Sequence, residues 1–381
     1  MRRLDGGPKR VVVAMSGGVD SSTVAGLLAE QGHDVVGVMM KLYDDSNAQD
    51  GRAGGGKSCC GLDDVSDARR VADRIGIPFF VGAYADVFRE KVMTPFVDEY
   101  LAGRTPNPCV RCNDDVKFSA LLDQARKLGA DYLATGHYAR TEVDEQGRVS
   151  LWTGRDGAKD QTYFLAGMSQ EALQRVVFPL GDMTKDEVRG HAERLDLPVA
   201  SKAESQDICF VPDDDHGSLV EKLAGDRARK SGEIVSLDGL RLGQHRGIHR
   251  YTIGQRRGLG ISSPEPYYVV GLNPETAELI VGSREDALGQ GALAESPSWL
   301  GEAPSPGDAL GVRIRYRHGS TEAVVVQLSE DSMSLRFNEP QQAVTPGQQL
   351  AFYRGEQVLG AATISKALDA SALRGLESSH V

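Results

Sequence analysis

Long apolar runs are missing from this chain of 381 residues, and its first residues lack the features of a secretion signal. No apolar run approaches the roughly 18–20 residues that a transmembrane helix needs. Residues 1–10 are basic but contain no apolar segment, which a signal peptide requires. The sequence therefore predicts a cytoplasmic protein without a membrane partner. Its 40% hydrophobic and 25% charged residues are ordinary for a globular chain of two or three domains.

Cysteine is also scarce, and the five cysteines are too unevenly placed for a disulfide framework. They are Cys59, Cys60, Cys109, Cys112 and Cys209. An odd, clustered set in a cytoplasmic chain indicates metal, redox or catalytic chemistry. Cys109 and Cys112 form a CxxC motif just before a predicted helix. The dipole of that helix is expected to favour the thiolate and so to lower the thiol pKa.

Three kinds of cysteine site fit this pattern, and the residues alone leave them open. A thiol pair could carry out nucleophilic or persulfide chemistry. Cys109, Cys112 and Cys209 could ligate iron in an Fe–S cluster. A structural zinc site that also uses Cys59 and Cys60 is the least favoured, because adjacent cysteines are poorly spaced as a ligand pair.

The net charge of −11 argues against a general nucleic-acid binder, but basic residues are concentrated in two places. Residues 241–260 contain five arginines and no acid, and residues 312–318 contain three arginines and no acid. A local basic face of this kind can still bind a polyanion. The arginines concerned are Arg241, Arg246, Arg250, Arg256, Arg257, Arg313, Arg315 and Arg317.

Strand and helix patterns alternate through the first half of the chain. Short apolar runs predict strands at residues 11–15, 35–40, 79–83 and 132–135, and helical spacing predicts helices at residues 19–31, 63–75, 85–102 and 113–128. Alternation of this kind is typical of βαβ units and a parallel sheet. The predicted fold class is therefore α/β for the N-terminal part.

Short β-like runs separated by Gly, Pro and Asp replace this pattern after about residue 205. They predict a small mixed domain followed by an all-β barrel or sandwich. A Ser/Pro/Gly-rich boundary is expected at residues 293–306 and a disordered tail at residues 370–381. The predicted divisions are a flexible N-terminus at 1–10 and domains at 11–204, 205–290 and 291–368, with the tail from 369 to 381.

The strongest local signal is the sequence Ala14-Met15-Ser16-Gly17-Gly18-Val19-Asp20-Ser21-Ser22, which follows a predicted strand and opens a predicted helix. Its two glycines allow a sharp turn and a close approach of the backbone to a ligand. The N–H groups of the turn and of the helix N-terminus would point at one spot, which favours an anion such as pyrophosphate. Asp20 lies in the first helical turn, where its carboxylate stabilises the helix or holds Mg²⁺.

A competing phosphate-loop pattern occurs later, with Gly51, Gly56, Lys57 and Ser58 at the required spacing. That mechanism needs a strand directly before the loop and a helix directly after it. The residues before Gly51 are polar, so the match is interpreted as chance. We expect Lys57→Ala to leave ATP use largely intact, and a collapse of ATP turnover would contradict this interpretation.

Several motifs in order resemble the bacterial tRNA-specific 2-thiouridylases. The Ser-Gly-Gly-x-Asp-Ser loop alone marks only the wider group of ATP-pyrophosphatases, whereas the ordered combination with the cysteines is much more specific. Matching segments extend from about residue 11 to residue 364. The motifs are Ser16–Ser21, Thr105-Pro106-Asn107-Pro108, Cys112-Asn113, Gly136-His137-Tyr138, Lys159-Asp160-Gln161, the Cys209 segment and Thr252-Ile253-Gly254-Gln255-Arg256.

The resemblance implies an ATP-pyrophosphatase domain, a small central domain and a C-terminal β-barrel that binds tRNA. It also implies that ATP and Mg²⁺ activate O2 of the wobble uridine, and that sulfur then replaces this oxygen, giving 2-thiouridine, AMP and pyrophosphate. The implied partners are tRNAs of the lysine, glutamate and glutamine type and an upstream sulfur-donor or sulfur-relay protein. Two thiols suit the chemistry, because one can carry sulfur and the other can release it by disulfide exchange.

The resemblance also implies residue roles. Cys209 would carry the sulfur as a persulfide, and Cys112 would release it and leave a Cys112–Cys209 disulfide. The remaining roles are as follows: Ala14, Met15, Ser16, Gly17, Gly18, Val19, Asp20, Ser21, Met40 and Gly136 for ATP; Asn107, Pro108 and Cys109 for the target base; and His137, Lys159, Asp160, Gln161, Arg315, Tyr316 and Gln348 for tRNA.

Cys109 departs from the family pattern, because many relatives have Asp at this position. The change creates the CxxC motif and keeps an Fe–S cluster on Cys109, Cys112 and Cys209 open as an alternative to the persulfide. Another ATP-pyrophosphatase ligase acting on a small molecule would not explain the cysteines or the basic segments. A non-catalytic Fe–S or zinc RNA-binding protein would not explain the Ser-Gly-Gly-Val-Asp-Ser loop.

Overall fold

A computed structural model describes residue 4 and residues 7–42, 62–204, 208–211, 215–228 and 231–378. Cys59, Cys60 and the competing phosphate-loop match at residues 51–58 lie outside the described residues. The chain divides into two compact units. The first unit comprises residues 1–92, 109–214 and 356–358, and the second comprises residues 93–108, 215–355 and 359–381. No helix in the described ranges has both the length and the apolar character needed to cross a membrane.

The described ranges contain ten α-helices and seventeen strands. The helices are α1 (Val19–Glu30), α2 (Leu62–Ile75), α3 (Ala85–Phe88), α4 (Thr94–Leu101), α5 (Pro108–Arg111), α6 (Leu122–Lys127), α7 (Gln170–Arg175), α8 (Lys185–Arg194), α9 (His216–Ala224) and α10 (Ala370–Ser378). The strands of the first half are β1 (Arg10–Ala14), β2 (Asp34–Lys41), β3 (Phe79–Ala83), β4 (Tyr132–Ala134), β5 (Ala139–Val143), β6 (Val149–Thr153) and β7 (Val176–Val177). Those of the second half are β8 (Gly232–Ser236), β9 (Arg241–His245), β10 (Tyr268–Asn273), β11 (Glu278–Gly282), β12 (Leu288–Trp299), β13 (Ala309–Arg313), β14 (Thr321–Leu328), β15 (Ser332–Gln342), β16 (Gln349–Arg354) and β17 (Gln357–Leu368).

The first unit is built on a five-stranded parallel sheet in the order β3-β2-β1-β4-β7. Val11, Val12 and Val13 of β1 are fully buried, because helices cover both faces of such a sheet. The α/β fold predicted for this part is confirmed. The strand order reverses beside β1, between β2 on one side and β4 on the other. In sheets of this kind ligands bind in the crevice at the carboxyl ends of the strands where the order reverses.

Three strands of the first unit, β5, β6 and β7, escaped the sequence analysis. β5 and β6 form an antiparallel hairpin after β4, and β6 pairs through Trp152 and Leu151 with Gln357 and Val358, the first residues of β17. The hairpin has mixed burial, with Val143 exposed and Leu151 fully buried. Burial alternates over the first three residues of each strand, but the one large apolar residue of β5, Val143, lies at an exposed position.

The second unit contains a four-stranded sheet and a closed barrel. The sheet has the order β10-β11-β8-β9 and a small core that includes Val269, Leu279 and Val281. The barrel has the order β12-β15-β14-β13-β16-β17 and closes where β12 pairs with β17. Its core includes Leu335 and Phe352. The predicted small central domain and C-terminal all-β barrel are confirmed as fold features.

The boundary expected at residues 293–306 is wrong in its first half, because β12 runs from Leu288 to Trp299 and pairs with both β15 and β17. The small residues that suggested a linker pack in the closing seam of the barrel. Ala292 and Ala294 are fully buried. A Cβ atom on Gly291 would lie 2.1 Å from the carbonyl oxygen of Leu335. Small side chains are therefore required here by packing.

The tail expected to be disordered contains helix α10, so that prediction is wrong for residues 370–378. Leu373 is 3% exposed and provides the apolar contact that orders the helix. Gln327 Nε2 donates a hydrogen bond of 3.1 Å to the carbonyl of Leu376, and Arg336 forms an ion pair of 3.2 Å with Glu377. The helix buries only one large apolar residue, so its sequence carries too weak an apolar pattern to predict a helix.

The helix predicted for residues 113–128 begins earlier, at Pro108. Helix α5 covers Pro108–Arg111, a π-helical segment covers Cys112–Leu121, and α6 follows. Proline suits the first helical position, because its missing N–H has no partner there in any case. The helix predicted at residues 85–102 is likewise interrupted by a π-helical segment at Arg89–Met93.

Candidate active site

The glycine-rich loop after β1 adopts the sharp turn that its sequence predicts. Gly17 has a positive φ of +72°, and Gly18 is the N-cap of α1. A Cβ atom on Gly17 would lie 2.4 Å from the backbone carbonyl oxygen of Asp64, so no other residue fits there. The Ser16 N–H donates to Ser21 Oγ at 3.1 Å, which holds the loop against the first turn of the helix. The N-terminal N–H groups of α1 therefore lie at the carboxyl end of the parallel sheet.

The loop after β4 comes against the same helix start. A Cβ atom on Gly136 would lie 2.8 Å from the Ser21 nitrogen and 3.0 Å from Asp20 Cβ. Two of the sequence-predicted ATP segments are therefore brought together in the crevice beside β1. Met40 is buried near the carboxyl end of β2, the strand next to β1, with 8% of its surface exposed.

A buried lysine that the sequence analysis missed neutralises the acidic residue of the loop. Lys185 Nζ donates to both carboxylate oxygens of Asp20, at 2.8 and 2.9 Å, and Lys185 is 8% exposed. Tyr138 Oη donates to the same carboxylate at 2.9 Å. Burial, and then the neighbouring charge of Asp20, raise the pKa of Tyr138 well above its ordinary value. The only available sequence signal was the capping box of Thr184 and Glu187, which marks the helix start where Lys185 lies.

Cys112 is a buried thiol whose pKa is raised, contrary to the expectation from the sequence. Burial is the largest cause, and the nearby carboxylates of Asp114 and Asp115 raise the pKa further, while Lys117 lowers it. The helix begins at Pro108, so Cys112 lies one turn inside it and not at its N-terminus. The predicted dipole effect on Cys112 was therefore wrong. A Cys112 thiolate needs a proton acceptor or a change in its surroundings.

Asp114 is a buried carboxyl group that the sequence analysis did not identify. Its Oδ1 atom has no hydrogen-bond partner within the described part of the chain. Burial, helped by the charge of Asp115 and opposed by Arg111, raises the pKa of Asp114 to about 7. A carboxyl group with such a pKa can exchange a proton near neutrality. In the sequence, Asp114 and Asp115 lie at the start of the helix predicted from residue 113, so they indicate no more than a helix N-terminus.

Cys109 and Cys209 are both thiols of intermediate exposure. The residue after Cys209 is an anchor, since Phe210 is 7% exposed and packs edge-on against Phe88 with ring centroids 5.5 Å apart. Val211 is also buried. Cys209 therefore lies at the accessible edge of an anchored apolar segment.

The described residues include no group of three or more His, Cys, Asp or Glu side chains placed to hold a metal ion. Cys109, Cys112 and Cys209 all belong to the residues searched, so their arrangement does not fit the Fe–S cluster considered from the sequence. The zinc alternative also involved Cys59 and Cys60, which lie outside the described residues.

The loop predicted to meet the target base is fixed in the second unit through Thr105. The Thr105 N–H donates to the Pro346 carbonyl at 2.8 Å, and its Oγ1 lies 3.2 Å from Thr252 Oγ1. Gln348 Nε2 donates to the Thr105 carbonyl at 2.9 Å. Two residues further along this loop, Asn107 is half-buried. Pro108, the next residue, is buried. The Gln348 side chain predicted to contact tRNA therefore contacts this loop.

The tRNA residues predicted in the first unit have different surroundings. His137 Nδ1 lies 2.8 Å from Thr135 Oγ1, and burial followed by the charge of Lys117 places its pKa well below the ordinary value, so the ring is neutral. Lys159 Nζ forms an ion pair of 2.6 Å with Glu204. Gln161 Oε1 accepts a hydrogen bond from the Tyr138 N–H at 3.1 Å.

Asp160, also predicted to contact tRNA, is 4% exposed, and its carboxylate bonds within its own loop. Its Oδ1 accepts hydrogen bonds of 3.0 Å from the Gly154 N–H and from Thr162 Oγ1. These bonds shape the loop that carries Lys159 and Gln161.

The first arginine cluster is only partly neutralised. Arg241 pairs with Glu233 at 3.1 Å, and Arg250 pairs with Glu221 at 2.7 Å. The other three arginines are exposed, and no carboxylate of the described residues forms an ion pair with them. These three are Arg246, Arg256 and Arg257.

The second arginine cluster lies at the end of a strand. β13 ends at Arg313, and Arg315 and Tyr316 follow it. The Arg313 guanidinium stacks over the Tyr353 ring at 4.7 Å, and Arg315 Nη1 donates to the Gln342 carbonyl at 3.2 Å. Both guanidinium groups therefore have protein contacts that fix their position in the barrel.

Three family models match the chain. The tRNA methyl transferase HUP domain matches residues 9–213, the tRNA methyl transferase PRC-barrel domain matches residues 221–283, and the aminomethyltransferase beta-barrel domain matches residues 290–364. The first of them alone covers more than half of the chain.

Curated relatives match at high identity. The tRNA-specific 2-thiouridylase MnmA of Geobacter metallireducens is 50% identical over 360 residues, which are 94% of this chain and 98% of the relative. The proteins of the same name from Geotalea uraniireducens and Carboxydothermus hydrogenoformans are 48% and 47% identical. Each of these two matches covers 95% of this chain. They cover 96% of the Geotalea protein and 99% of the Carboxydothermus protein.

Proposed function

Because the chain belongs to the family of tRNA-specific 2-thiouridylases, we propose that it uses ATP to replace O2 of a wobble uridine in tRNA by sulfur. The observation that carries this proposal is the crevice at the carboxyl end of the parallel sheet. There Gly136 lies against the start of α1, which follows the Gly17 turn, and a lysine and a tyrosine donate hydrogen bonds to Asp20.

The backbone of the loop suits the phosphates of ATP. Residues 14–21 would present the N–H groups of the turn and of the α1 N-terminus to the phosphates, and Gly136 would leave room beside them. Met40 would lie on the adenine side. The Asp20 carboxylate is the acidic group of this loop that would approach a phosphate-bound Mg²⁺. That ion would neutralise phosphate charge.

Adenylation makes the uridine reactive. The O2 atom attacks the α-phosphorus, the bond to the β-phosphate breaks, and pyrophosphate leaves. The C2 carbon then carries AMP as a leaving group, whereas the free carbonyl oxygen would be a poor one. A flexible anticodon loop can expose such a base, and Asn107, Pro108 and Cys109 are the residues proposed to contact it.

Sulfur then arrives on Cys209 as a persulfide loaded by a sulfur-donor or sulfur-relay protein. The terminal persulfide sulfur attacks C2, and AMP leaves. The Cys112 thiolate next attacks the inner sulfur of Cys209, the persulfide S–S bond breaks, and its electron pair stays with the 2-thiouridine sulfur. The products are 2-thiouridine and a Cys112–Cys209 disulfide, which an external thiol must reduce.

The tRNA backbone is the proposed partner of the basic residues. Arg246, Arg256 and Arg257 are exposed and therefore suited to phosphate contacts. In the first unit, His137, Lys159 and Gln161 remain candidates, with Asp160 as a residue that shapes their loop. Arg315 and Tyr316 are the barrel candidates, in a relative position fixed by the contact of Arg315 with Gln342.

Nucleoside mass spectrometry tests the proposal directly. Unmodified tRNA with a wobble uridine is incubated anaerobically with the protein, Mg²⁺ and a sulfane-sulfur donor that can load a cysteine persulfide, with and without ATP. We expect an ATP-dependent 2-thiouridine peak and pyrophosphate release that requires tRNA. ATP cleavage without any thiolated nucleoside would indicate another ligase of the same fold.

A further inference from the structure

A short segment of the first unit, residues 202–204, is attached to the glycine-rich loop directly at Lys202 and through Lys185 at Glu204. The first attachment is Lys202, whose Nζ donates to the Gly17 carbonyl at 3.0 Å. The same ammonium group donates to Asp64 Oδ1 and Asp67 Oδ2, both at 2.6 Å. Burial works to lower the pKa of Lys202, but the two carboxylates outweigh it and raise that pKa. Lys202 therefore remains charged and holds the Gly17 carbonyl in position.

The second attachment is Glu204, which bonds to two lysines. Its carboxylate accepts from Lys159 at 2.6 Å and from Lys185 at 2.5 Å. Lys185 in turn donates to Asp20. Burial works to raise the pKa of Glu204, but the hydrogen bonds of Lys159 and Lys185 hold it below its ordinary value. The result is an alternating row of charges, from Asp20 through Lys185 and Glu204 to Lys159.

Glu204 is five residues before Cys209, and a chain of five residues spans at most roughly 17 Å. On the other side of Cys209, Phe210 packs against Phe88. The thiol therefore lies between two fixed points, one on the glycine-rich loop and one in the apolar core. The strength of the first fixed point depends on a charged carboxylate, because the buried ammonium group of Lys185 and the partly buried one of Lys159 need a compensating charge.

We propose that Glu204 is a positioning residue for sulfur transfer, which ties the chain five residues before Cys209 to the ATP site through Lys185 and Lys159. This inference rests on the proposed function, since it assigns Glu204 to the second half of that reaction. The described bonds of Glu204 run to the ammonium groups of Lys159 and Lys185. Asp20 keeps its own bonds to Lys185 and Tyr138 when Glu204 is replaced, so we expect adenylation to continue while sulfur transfer slows.

The first test compares the two half-reactions in Glu204→Gln, which keeps the side-chain size and removes the charge. Glu193→Gln is the matched control, because Glu193 is exposed on α8. We expect 2-thiouridine formation to fall at least tenfold in Glu204→Gln, while tRNA-dependent pyrophosphate release stays within threefold of the original protein. A parallel loss of both half-reactions would overturn the proposal, as would an unchanged rate of thiolation.

The second test measures the position of Cys209 without tRNA or ATP. Trypsin cleavage after Lys and Arg places Cys209 alone in residues 203–222, Cys109 in residues 105–111 and Cys112 in residues 112–117. Alkylation of each thiol can therefore be followed by mass spectrometry on the full chain. We expect Cys209 to react at least threefold faster in Glu204→Gln and in Lys159→Met, with Cys109 and Cys112 unchanged. Equal Cys209 rates in all variants would contradict the proposed anchoring.

The two tests fail in different ways. If the original protein makes no 2-thiouridine, the proposed function is wrong, and the alkylation rates still decide whether Glu204 fixes the Cys209 segment. The thermal unfolding midpoint is also compared between Glu204→Gln and the Glu193→Gln control. If it falls equally in both variants and Cys209 is alkylated at the same rate in both, the inference is refuted.

Discussion

Gln348 Nε2 donates a hydrogen bond of 2.9 Å to the backbone carbonyl of Thr105, which precedes it by 243 residues. Thr105 also bonds to the Pro346 carbonyl. A Cβ atom on Gly347 would lie 3.0 Å from three backbone atoms of Thr105. The start of the proposed target-base loop is thus clamped by one turn of the barrel. This contact separates two possible roles of Gln348, which are binding tRNA and positioning the loop.

We expect Gln348→Ala to reduce single-turnover thiolation about tenfold, while the Kd for tRNA changes less than threefold. The loss of one hydrogen bond to a backbone carbonyl costs about 1 kcal/mol in stability, too little to unfold the protein. Gln244→Ala, on an exposed position of β9, is the control. A selective loss of tRNA affinity would instead assign Gln348 to direct tRNA binding.

Lys185→Met is expected to abolish most pyrophosphate release, with a fall of about a hundredfold. The substitution leaves the Asp20 carboxylate without its buried ammonium partner, and breaking such a pair typically costs about 3 kcal/mol. Steady-state kinetics with varied ATP would check this. Lys127→Met, on the exposed end of α6, provides the comparison. Full activity of Lys185→Met would remove Lys185 from the ATP site.

The parts of the structure that the sequence predicted are those with local causes. The valines of β1 identify a buried strand by themselves, and Gly17 and Gly18 indicate the turn that follows it. The contact of Lys185 with Asp20 joins residues 165 positions apart, and no local pattern encodes it. The raised pKa of Cys112 has the same origin, because burial by the rest of the fold outweighs the helix dipole.

Substitutions of the two cysteines in the CxxC motif are expected to have very different effects on activity. Cys112→Ser should abolish release of 2-thiouridine while tRNA-dependent pyrophosphate release continues, because only Cys112 is proposed to break the persulfide bond. Cys109→Asp restores the residue common among relatives and should retain substantial activity. Bound iron in the purified protein, lost together with activity in Cys109→Asp, would favour the cluster alternative despite the cysteine geometry.

The pH profile offers a second check on Cys112. Its raised thiol pKa means that the thiolate fraction keeps increasing as the pH rises from 7 to 9. The sulfur-release step should therefore accelerate over this interval by roughly tenfold per pH unit at most. Adenylation, followed as pyrophosphate release, does not use the thiol and serves as the internal control. A release rate that is constant above pH 7 would mean that Cys112 is already ionised.

The exposed arginines of the first cluster predict the salt dependence of tRNA binding. Replacing Arg246, Arg256 and Arg257 by Gln should reduce the slope of log affinity against log salt concentration by about 2–3, because each phosphate contact contributes about 0.7–0.9. Arg241→Gln is the matched control, since Glu233 already neutralises Arg241. An unchanged slope in the triple variant would place the tRNA backbone elsewhere.

The buried carboxyl group of Asp114 predicts a pH dependence of stability. Its pKa is about 7 in the folded protein, above the ordinary aspartate value, so the folded state holds a proton that the unfolded state has already released. Between about pH 4 and pH 7, raising the pH therefore lowers the free energy of unfolding, and the effect levels off above pH 7. Asp114→Asn removes this titration. We expect the stability advantage of Asp114→Asn over the original protein to grow by roughly 1–3 kcal/mol as the pH rises from 5 to 8. Urea unfolding at the two pH values measures the difference, with exposed Asp73→Asn as the control. A gain that is equal at both pH values would show that Asp114 does not titrate in this range.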